Sequence, residues 1–332
     1  MPQFFSKKQY QQVAELFGLG AIRGIITYFR KGYQTPKVAV ETGRGKFIIA
    51  KHNLSTKKTI ISDMKIVPRI ALVHEIQFLN TLKNLPVPHY LHSKHRRYLE
   101  DFGGYTVSVY KFLPGHEPKR MTSKMVYELG RFVGALHAQS SRFKKPMKGR
   151  RRFYDLNPRV MTLMYCSAKQ QTHPLLKKAV EEVRRGVERN RLPHGLPKGP
   201  IHVDIKPDNE LFIGEKLAGI VDFGNVYVDS LVFDVGKTIM WNCCAKDQLD
   251  TAMTKKFLQG YLAKRKLNNK EWRYLEQATL FAIYSHVWVD LYHIPLKYVP
   301  ESYTLFLVKT FLPIARSIEK EHPNILKFVG MS

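Results

Sequence analysis

The chain has 332 residues, enough for one large domain or two closely joined lobes, and 44% of its residues are hydrophobic while 24% are charged. This composition excludes a wholly disordered chain. The 54 Lys and Arg residues outnumber the 27 Asp and Glu residues and give a formal net charge of +27, which favours an anionic partner such as a nucleotide, a nucleic acid or an acidic membrane surface.

The cysteines and the apolar runs indicate the compartment. Cys166, Cys243 and Cys244 have no metal-ligand spacing and cannot form a disulfide framework, so a reducing compartment is expected. No apolar run approaches the roughly 18 residues that a membrane span requires. The first residues lack the apolar block of a signal peptide. We therefore expect a cytoplasmic protein with no membrane span, and the sequence does not indicate its oligomeric state.

The first third of the chain is predicted to be rich in strands. Apolar residues at helical spacing and β-rich runs separated by turn residues identify its elements. In chain order these are a first helix with Tyr10 and Phe17 on one face, strands at Pro36–Val40 and Lys46–Lys51, a helix at 67–83, and a strand at Tyr105–Phe112.

Helices dominate from residue 113 onward. Thr122 or Ser123 can cap the first of them, Leu175–Asn190 is another, and several follow Ser230. Two short strands interrupt them at Leu211–Ile213 and Leu217–Val221. The sequence thus predicts an α+β fold with two lobes, a small antiparallel-sheet lobe at 1–112 and a larger, mainly helical lobe at 113–332.

Charge is distributed unevenly along the chain. Residues 1–200 contain 38 basic and 12 acidic side chains, whereas residues 201–250 contain 4 basic and 9 acidic ones. Carboxylates gathered in one segment provide the hard oxygen ligands that Mg²⁺ requires. The acidic segment is therefore the first place to look for chemistry.

Three oxygen-bearing side chains in this segment have an informative spacing. Asp204 lies in a loop between two apolar stretches, Asn209 follows five residues later, and Asp222 ends the second strand of the predicted hairpin. The hairpin is expected to bring Asn209 and Asp222 together as a Mg²⁺ pair, and Asp204 could accept a proton from a substrate hydroxyl. Phosphoryl transfer needs these parts, a metal that screens phosphate charge and a positioned base.

The same segment resembles a known superfamily. His202-Val203-Asp204 through Asn209, followed by Asp222-Phe223-Gly224, is similar to the catalytic loop and metal motif of protein-kinase-like enzymes. Tyr110–Gly115, Leu129–Ala138 and Asp229–Val235 look like the hinge, the first large-lobe helix and the G-D-P-L-Y-D-L stretch of aminoglycoside/choline kinase-type phosphotransferases. Leu196–His202 brings the likeness closest to the bacterial type II homoserine kinases.

The resemblance implies a bilobal protein-kinase-like fold, ATP and Mg²⁺ as cofactors, and a role for each matching residue. Asp204 corresponds to the catalytic base, and Asn209 and Asp222 to the metal ligands. Glu75 matches the helix acid that pairs with a basic residue at the phosphates. Tyr110 and Phe112 belong to the hinge, whose backbone is expected to meet adenine.

The basic residue of the small lobe departs from the family pattern. The best gapless match places it at Ala50, whereas the lysine present is Lys51. Because strand side chains alternate between faces, Lys51 points the wrong way unless a bulge intervenes. Lys206, two residues after Asp204, is the possible substitute, since protein kinases keep a phosphate-contacting lysine there.

Other residues near these motifs receive structural or pocket roles. His202 and His137 are predicted to pack in the core, and Asp234 to anchor the catalytic loop. Acceptor specificity is expected in the helices after Phe233, with the following candidate pocket residues: Trp241, Asp247, Trp288, Asp290 and Tyr292.

The function predicted from these patterns is an ATP- and Mg²⁺-dependent phosphotransferase that acts on a hydroxyl of a small-molecule acceptor, with a homoserine-like amino alcohol favoured. One alternative is a protein Ser/Thr kinase, which the lack of an A-P-E motif after Asp222 opposes. Another is a catalytically silent kinase fold that binds polyanions. Independently of these, Arg142–Arg152, with seven Lys or Arg in eleven residues, is predicted to centre weak polyanion binding.

Overall fold

The computed structural model describes residues 4–27, 36–52, 54–55, 67–145, 147, 158–293 and 299–321. The chain divides into two compact units. The first comprises Met1–Gly115, Pro146–Arg150 and Gly219–Gly224, and the second comprises His116–Lys145, Arg151–Ala218 and Asn225–Ser332. The sequence had placed the division between residues 112 and 113.

The first unit is built on a five-stranded antiparallel sheet with strand order β1-β2-β3-β7-β6. Its elements in chain order are α1 (Lys7–Leu16), β1 (Ile22–Thr27), β2 (Lys37–Thr42), β3 (Gly45–His52), β4 (Leu54–Ser55), β5 (Val67–Pro68), α2 (Arg69–Thr81), β6 (Glu100–Phe102) and β7 (Tyr105–Lys111). Ser6 and Gln9 form a capping box that starts α1, because each side chain accepts from the other's backbone N–H.

The two faces of this sheet have different partners. One face, which includes Ile49 and Val107, packs with Tyr10 and Val13 of α1. The opposite face carries a cluster of Ala39, Ile48, Ala50 and Tyr110, against which Tyr90 packs. Tyr90 also packs against the buried residues of α2, so α2 lies on the Ala50 side of the sheet.

The second unit is mainly helical. Its helices are α3 (Ser123–Ser140), α4 (Pro158–Ala168), α5 (Pro174–Arg189), α6 (Leu231–Asn242), α7 (Thr251–Leu262), α8 (Asn269–Arg273), α9 (Leu275–His293) and α10 (Glu301–Glu321). Its short strands are β8 (Lys198–Ile201), β9 (Glu210–Ile213), β10 (Lys216–Ile220), β11 (Tyr227–Ser230), β12 (Cys244–Ala245) and β13 (Gln248–Leu249). The last two residues of β10 belong to the first unit by their contacts.

Two features of the sequence explain how these helices start and pack. Thr122 caps α3, since its hydroxyl accepts from the backbone N–H of Met125 at 3.2 Å. Glycines let α3 and α7 approach closely. A Cβ at Gly130 would lie 2.1 Å from the carbonyl oxygen of Phe257, and one at Gly260 would lie 2.1 Å from that of Tyr127. The helix α9 is buried along nearly its whole length, with α5, α6 and α10 packed around it.

The predicted α+β class is confirmed, with an antiparallel sheet near the N-terminus and helices in most of the remaining described chain. Within the described ranges, no helix is both long and apolar enough to cross a membrane. The basic segment Arg142–Arg152 lies largely outside the described residues, so its proposed polyanion binding remains a prediction.

Candidate active site

The predicted catalytic loop begins where a paired strand ends. β8 pairs antiparallel with β11, with Ile201 opposite Tyr227, and the loop runs from His202 to Asn209. Pro207 starts a single 3-10 turn, Pro207–Asn209, since proline is favoured in the first turn of a helix. The loop is therefore held at both ends by short regular elements.

Asp234, in the first turn of α6, binds the backbone at the start of this loop. Its carboxylate accepts the backbone N–H of His202 at 2.8 Å and that of Val203 at 2.7 Å. His137 Nε2 lies 3.2 Å from Oδ2 of the same carboxylate. Burial raises the pKa of Asp234, but hydrogen bonds, first from His137 and then from the backbone of His202, outweigh it and the net pKa is lowered. Val203 has φ +60, a strained conformation for a β-branched residue, and Asp234 holds it there.

The structure brings Asp204, Lys206 and Asn209 together. Asn209 Nδ2 donates to the carbonyl oxygen of Asp204 at 2.8 Å and to its carboxylate Oδ2 at 3.3 Å. Lys206 Nζ lies 3.3 Å from the same Oδ2. Burial lowers the pKa of Lys206, yet the Asp204 carboxylate more than compensates and raises it, so Lys206 is cationic.

The donor atoms in this loop suit a hard divalent cation. Because Asn209 turns its amide nitrogen toward Asp204, its amide oxygen faces away from that carboxylate. An amide oxygen and carboxylates are ligands that Mg²⁺ accepts, usually together with phosphate oxygens and water. Asp222 follows β10 and has φ +65; it belongs to the first unit and is described with it. The residue types at the predicted metal ligands therefore fit Mg²⁺.

A pocket of about 440 Å³ opens beside the catalytic loop in the second unit. Residues 206–208 of the loop form one wall, and side chains of α6, the β12–β13 hairpin and α10 form the others. The residues that line it include Trp241, Asp247, Tyr303, Phe306 and Phe311. Phe306 is 52% exposed, so the wall of the pocket includes apolar surface that is open to solvent.

A buried polar cluster of Lys237, His286 and Asp290 lies behind Trp241. The Trp241 ring contacts the His286 ring at 5.2 Å between centroids, and Lys206 Nζ lies 5.6 Å from the centre of Trp241. His286 Nδ1 is 2.7 Å from Lys237 Nζ, and its Nε2 is 3.8 Å from Asp290 Oδ2, too far for a hydrogen bond. Asp290 Oδ2 is buried without a hydrogen-bond partner in the described part of the chain.

Burial dominates the titration of this cluster. It raises the pKa of Asp290 to about 7, although Lys206 and Lys237 oppose the rise, and it lowers the pKa of Lys237 to about 7. Sequence reasoning had named Trp241 and Asp290 but missed Lys237 and His286. The available signals were a single lysine inside the apolar helix α6 and the i, i+4 spacing of His286 and Asp290 within the equally apolar α9.

Trp288 and Tyr292, the other predicted pocket residues on α9, are each 2% exposed and are not among the residues that line the described pocket. His202 and His137 are both fully buried, as predicted.

Lys51 lies on the wrong face of the sheet for its predicted role. Its Nζ is 3.2 Å from the centre of the Tyr105 ring and also within 6 Å of the ring centres of Phe4 and Phe5. Ala50, its neighbour, faces the α2 side, and the register of β3 against β7 runs without a bulge. The predicted phosphate contact of Lys51 and its pairing with Glu75 are therefore wrong, because strand alternation separates them.

Of the remaining predicted residues of the first unit, Glu75 is buried on α2, whereas Tyr110 and the half-buried Phe112 lie at the Ala50 face. Glu75 is 6% exposed on α2. Tyr110 and Phe112 pack in the cluster of Ala39, Ile48 and Ala50. The backbone N–H of Phe112 is already engaged, since it donates to the carbonyl oxygen of Lys46 at 3.0 Å. The next backbone N–H along the hinge belongs to Leu113.

Comparisons with known proteins place the chain in a family. The sequence pattern of the phosphotransferase enzyme family matches residues 25–275. A homoserine kinase of Xanthobacter autotrophicus is 29% identical over 264 residues, which are 77% of this chain and 78% of that protein.

Solved structures show the same fold. An amicoumacin kinase in complex with AMP-PNP and Ca²⁺ aligns with a TM-score of 0.65 and 12% identity, covering 97% of this chain and 95% of that one. A microcompartment-associated aminopropanol kinase aligns with a TM-score of 0.62 and 16% identity, covering 95% of this chain and 98% of that one. The predicted kinase-like fold is confirmed. Since the family pattern spans most of both units, the chain belongs to the phosphotransferase enzyme family and is a small-molecule kinase.

Proposed function

We propose that the chain transfers the γ-phosphoryl group of ATP, with Mg²⁺, to the hydroxyl of a small amino alcohol related to homoserine. The observation that carries this proposal is the catalytic loop, in which Asp204 is held between Lys206 and Asn209 on a backbone fixed by Asp234. The homoserine kinase relative supports the acceptor class.

Asp204 acts as the base in this proposal. The acceptor oxygen attacks the γ-phosphorus, the bond to the β-phosphate oxygen breaks, ADP leaves, and the hydroxyl proton passes to the Asp204 carboxylate. Lys206 forms an ion pair with the Asp204 carboxylate. Its ammonium group can also neutralise charge on the transferred phosphoryl group.

Mg²⁺, when bound, would be held by Asn209 and Asp222 and would neutralise charge on the phosphates. The chain's own contribution at Asn209 is to direct the amide oxygen away from Asp204 by donating twice to that residue. Both roles of Asn209 depend on the orientation of one amide group.

Adenine is proposed to bind against the small apolar face of the first unit. Ala39, Ile48 and Ala50 form the apolar surface on the α2 side of the sheet, and their small or branched side chains pack with Tyr110. Of the hinge residues, Tyr110 and Phe112 contribute side-chain surface, and Leu113 is the candidate for the backbone contact. Glu75 remains a proposed contributor on the same side, without Lys51 as its partner.

Asp290 is proposed to bind the ammonium group of the acceptor. A buried carboxylate with an unpartnered oxygen costs stability, and a bound cation would remove that cost. His286 Nε2 and His293 Nδ1 lie 3.8 and 4.0 Å from its two oxygens, so neither histidine satisfies it. The charges of Lys206 and Asp204 act on Asp290, which supports its being near the reacting hydroxyl.

The test is an ATP-consumption assay on the full chain with Mg²⁺, using L-homoserine, 3-amino-1-propanol, 4-hydroxybutyrate and casein as acceptors. Turnover with at least one of the two amino alcohols, and little with the acid that lacks nitrogen, is expected. Turnover with casein alone would replace the proposal by a protein kinase activity. Absence of ADP formation with all four acceptors would overturn the acceptor class.

A further inference from the structure

A continuous chain of polar groups, most of them buried, links the start of α8 to the catalytic loop within the second unit. Glu271, at the start of α8, accepts from Arg265 Nη2 at 3.0 Å. Arg265 Nη1 donates to the hydroxyl of Tyr261 at 2.8 Å, and that hydroxyl lies 3.0 Å from Nδ1 of His137. His137 Nε2 lies 3.2 Å from Asp234 Oδ2, and Asp234 receives the backbone of the loop.

The direction of each hydrogen bond follows from the chemistry of its members. Arginine can only donate, so it supplies a proton to the Tyr261 oxygen and cannot receive one. Burial raises the pKa of Tyr261, so the phenol keeps its own proton. Of the two neighbours of this hydroxyl in the described chain, only His137 Nδ1 can accept that proton. His137 therefore carries its hydrogen on Nε2, from which it donates to Asp234.

We infer that Tyr261 is a positioning residue for the phosphoryl-transfer loop, which it controls by fixing the tautomer of His137. With Nε2–H pointing at Asp234, Oδ2 of that carboxylate accepts both the imidazole N–H and the backbone N–H of His202, while Oδ1 accepts Val203. The other tautomer would place a bare nitrogen lone pair against the carboxylate. Asp234 would then turn away, and the strained Val203 would lose the contact that holds it at φ +60.

Arg265 and Glu271 keep Tyr261 in place. The Arg265 side chain is 13% exposed and the Glu271 side chain 1%, so the pair is shielded from solvent. Glu271 also closes a capping box with Asn268 at the start of α8. The orientation of one phenol is thus tied to the start of a helix remote in sequence from the loop.

The experiment compares Tyr261→Phe with Tyr284→Phe, which removes a hydroxyl from another buried tyrosine of the same unit. The first readout is the ¹⁵N spectrum of the histidines in the free protein, with His137 assigned from a His137→Asn variant. Wild type and Tyr284→Phe should show an unprotonated Nδ1 and a protonated Nε2. Tyr261→Phe should show a mixture of tautomers or a protonated Nδ1.

The second readout is kinetic and rests on the proposed function. Tyr261→Phe should lower kcat about tenfold while leaving the KM for ATP and acceptor nearly unchanged, because the loop is misplaced but neither substrate loses a contact. Arg265→Gln, which keeps the phenol but replaces the guanidinium that donates to it by a shorter, uncharged amide, should have a smaller effect in the same direction.

An unchanged His137 spectrum in both Tyr261→Phe and Arg265→Gln would overturn the inference, whatever the enzyme phosphorylates. Equal losses of kcat in Tyr261→Phe and Tyr284→Phe would also overturn it, since the effect would then be general destabilisation. If Tyr261→Phe does not fold, the spectrum and kcat of Arg265→Gln decide. If no acceptor is phosphorylated at all, the proposed function fails, but the spectrum still decides the tautomer.

Discussion

Lys51 and Glu75 lie on opposite sides of one sheet. Lys51 Nζ sits 3.2 Å from the centre of the Tyr105 ring on the face that packs with α1, whereas Glu75 is buried on α2 at the other face. A kinase-like ion pair between them would require a one-residue shift of β3. The continuous register of β3 with β7, in which Lys51 pairs with Val107, excludes that shift.

The first prediction concerns the two lysines. Lys51→Met should leave kcat unchanged and lower the free energy of unfolding by about 1 kcal/mol, through loss of the cation–π contact with Tyr105. Lys206→Met should lower kcat by roughly 10²-fold, as removal of a donor at the reacting phosphate does elsewhere. Steady-state kinetics and chemical denaturation of both variants provide the check. A larger loss of kcat in Lys51→Met than in Lys206→Met would reverse the assignment.

Asp204→Asn is expected to lower kcat by roughly 10²–10⁴-fold, because the amide cannot accept the hydroxyl proton. The hydrogen bond from Asn209 to the backbone carbonyl oxygen of residue 204 does not involve the substituted side chain. Because this bond is kept, the melting temperature should change little. Glu215→Gln, which removes an exposed carboxylate from the turn between β9 and β10, is the control and should leave kcat unchanged. Wild-type turnover in Asp204→Asn would remove this residue from the role of base.

The ammonium contact of Asp290 predicts a substrate-dependent effect. Asp290→Asn should raise the KM for an amino alcohol at least about tenfold, because a charged partner is lost from a buried site. The KM for 4-hydroxybutyrate, which has no nitrogen, should stay near its wild-type value. Steady-state kinetics of the wild type and Asp290→Asn with both acceptors distinguish the loss of an ammonium contact from a change in pocket shape. The same fold-change with each acceptor would mean that Asp290 shapes the pocket without contacting nitrogen.

Glu210 predicts a pH-dependent stability. It is fully buried, and burial raises its pKa to about 8, although Asn242 Nδ2 donates to it at 2.9 Å. Between the ordinary pKa of 4.5 and about 8 the folded chain holds a proton that the unfolded chain has lost. The free energy of unfolding therefore falls as the pH rises through this window, in total by a few kcal/mol (about 1.4 kcal/mol per pH unit at most).

The measurement is denaturation of wild type and Glu210→Gln at pH 5, 6, 7 and 8. Relative to Glu210→Gln, the wild type should lose stability steadily across this range. Because Lys237 and Asp290 are present in both proteins, their titration cancels in the difference. Glu215→Gln, measured in addition at pH 3 and 4, tests the sign. The Thr122 hydroxyl and Lys124 lower the carboxyl pKa of Glu215 from 4.5, so the stability advantage of the wild type over this variant should vanish as the pH falls below 4.5. A difference between wild type and Glu210→Gln that does not vary with pH would show that Glu210 ionises freely.

Local sequence was sufficient for the catalytic loop. Asp204, Lys206 and Asn209 lie within six residues of chain, bounded by β8 and β9, so their spacing alone brings the three side chains together. Helix starts were equally local, since Thr122 caps α3 through the N–H of a residue three positions later. Short-range geometry of this kind depends on few degrees of freedom, which is why motifs predicted it.

Other features were decided only by the tertiary structure. The face on which Lys51 lies depends on the register of β3, because a slip of one residue would move every side chain to the other side. Lys237, His286 and Asp290 become one buried cluster because α6 packs against α9. Tyr261 meets His137 across 124 residues of sequence, where two helices cross closely at glycines. No local pattern encodes these contacts, since the free energy that selects them comes from packing elements distant in the chain.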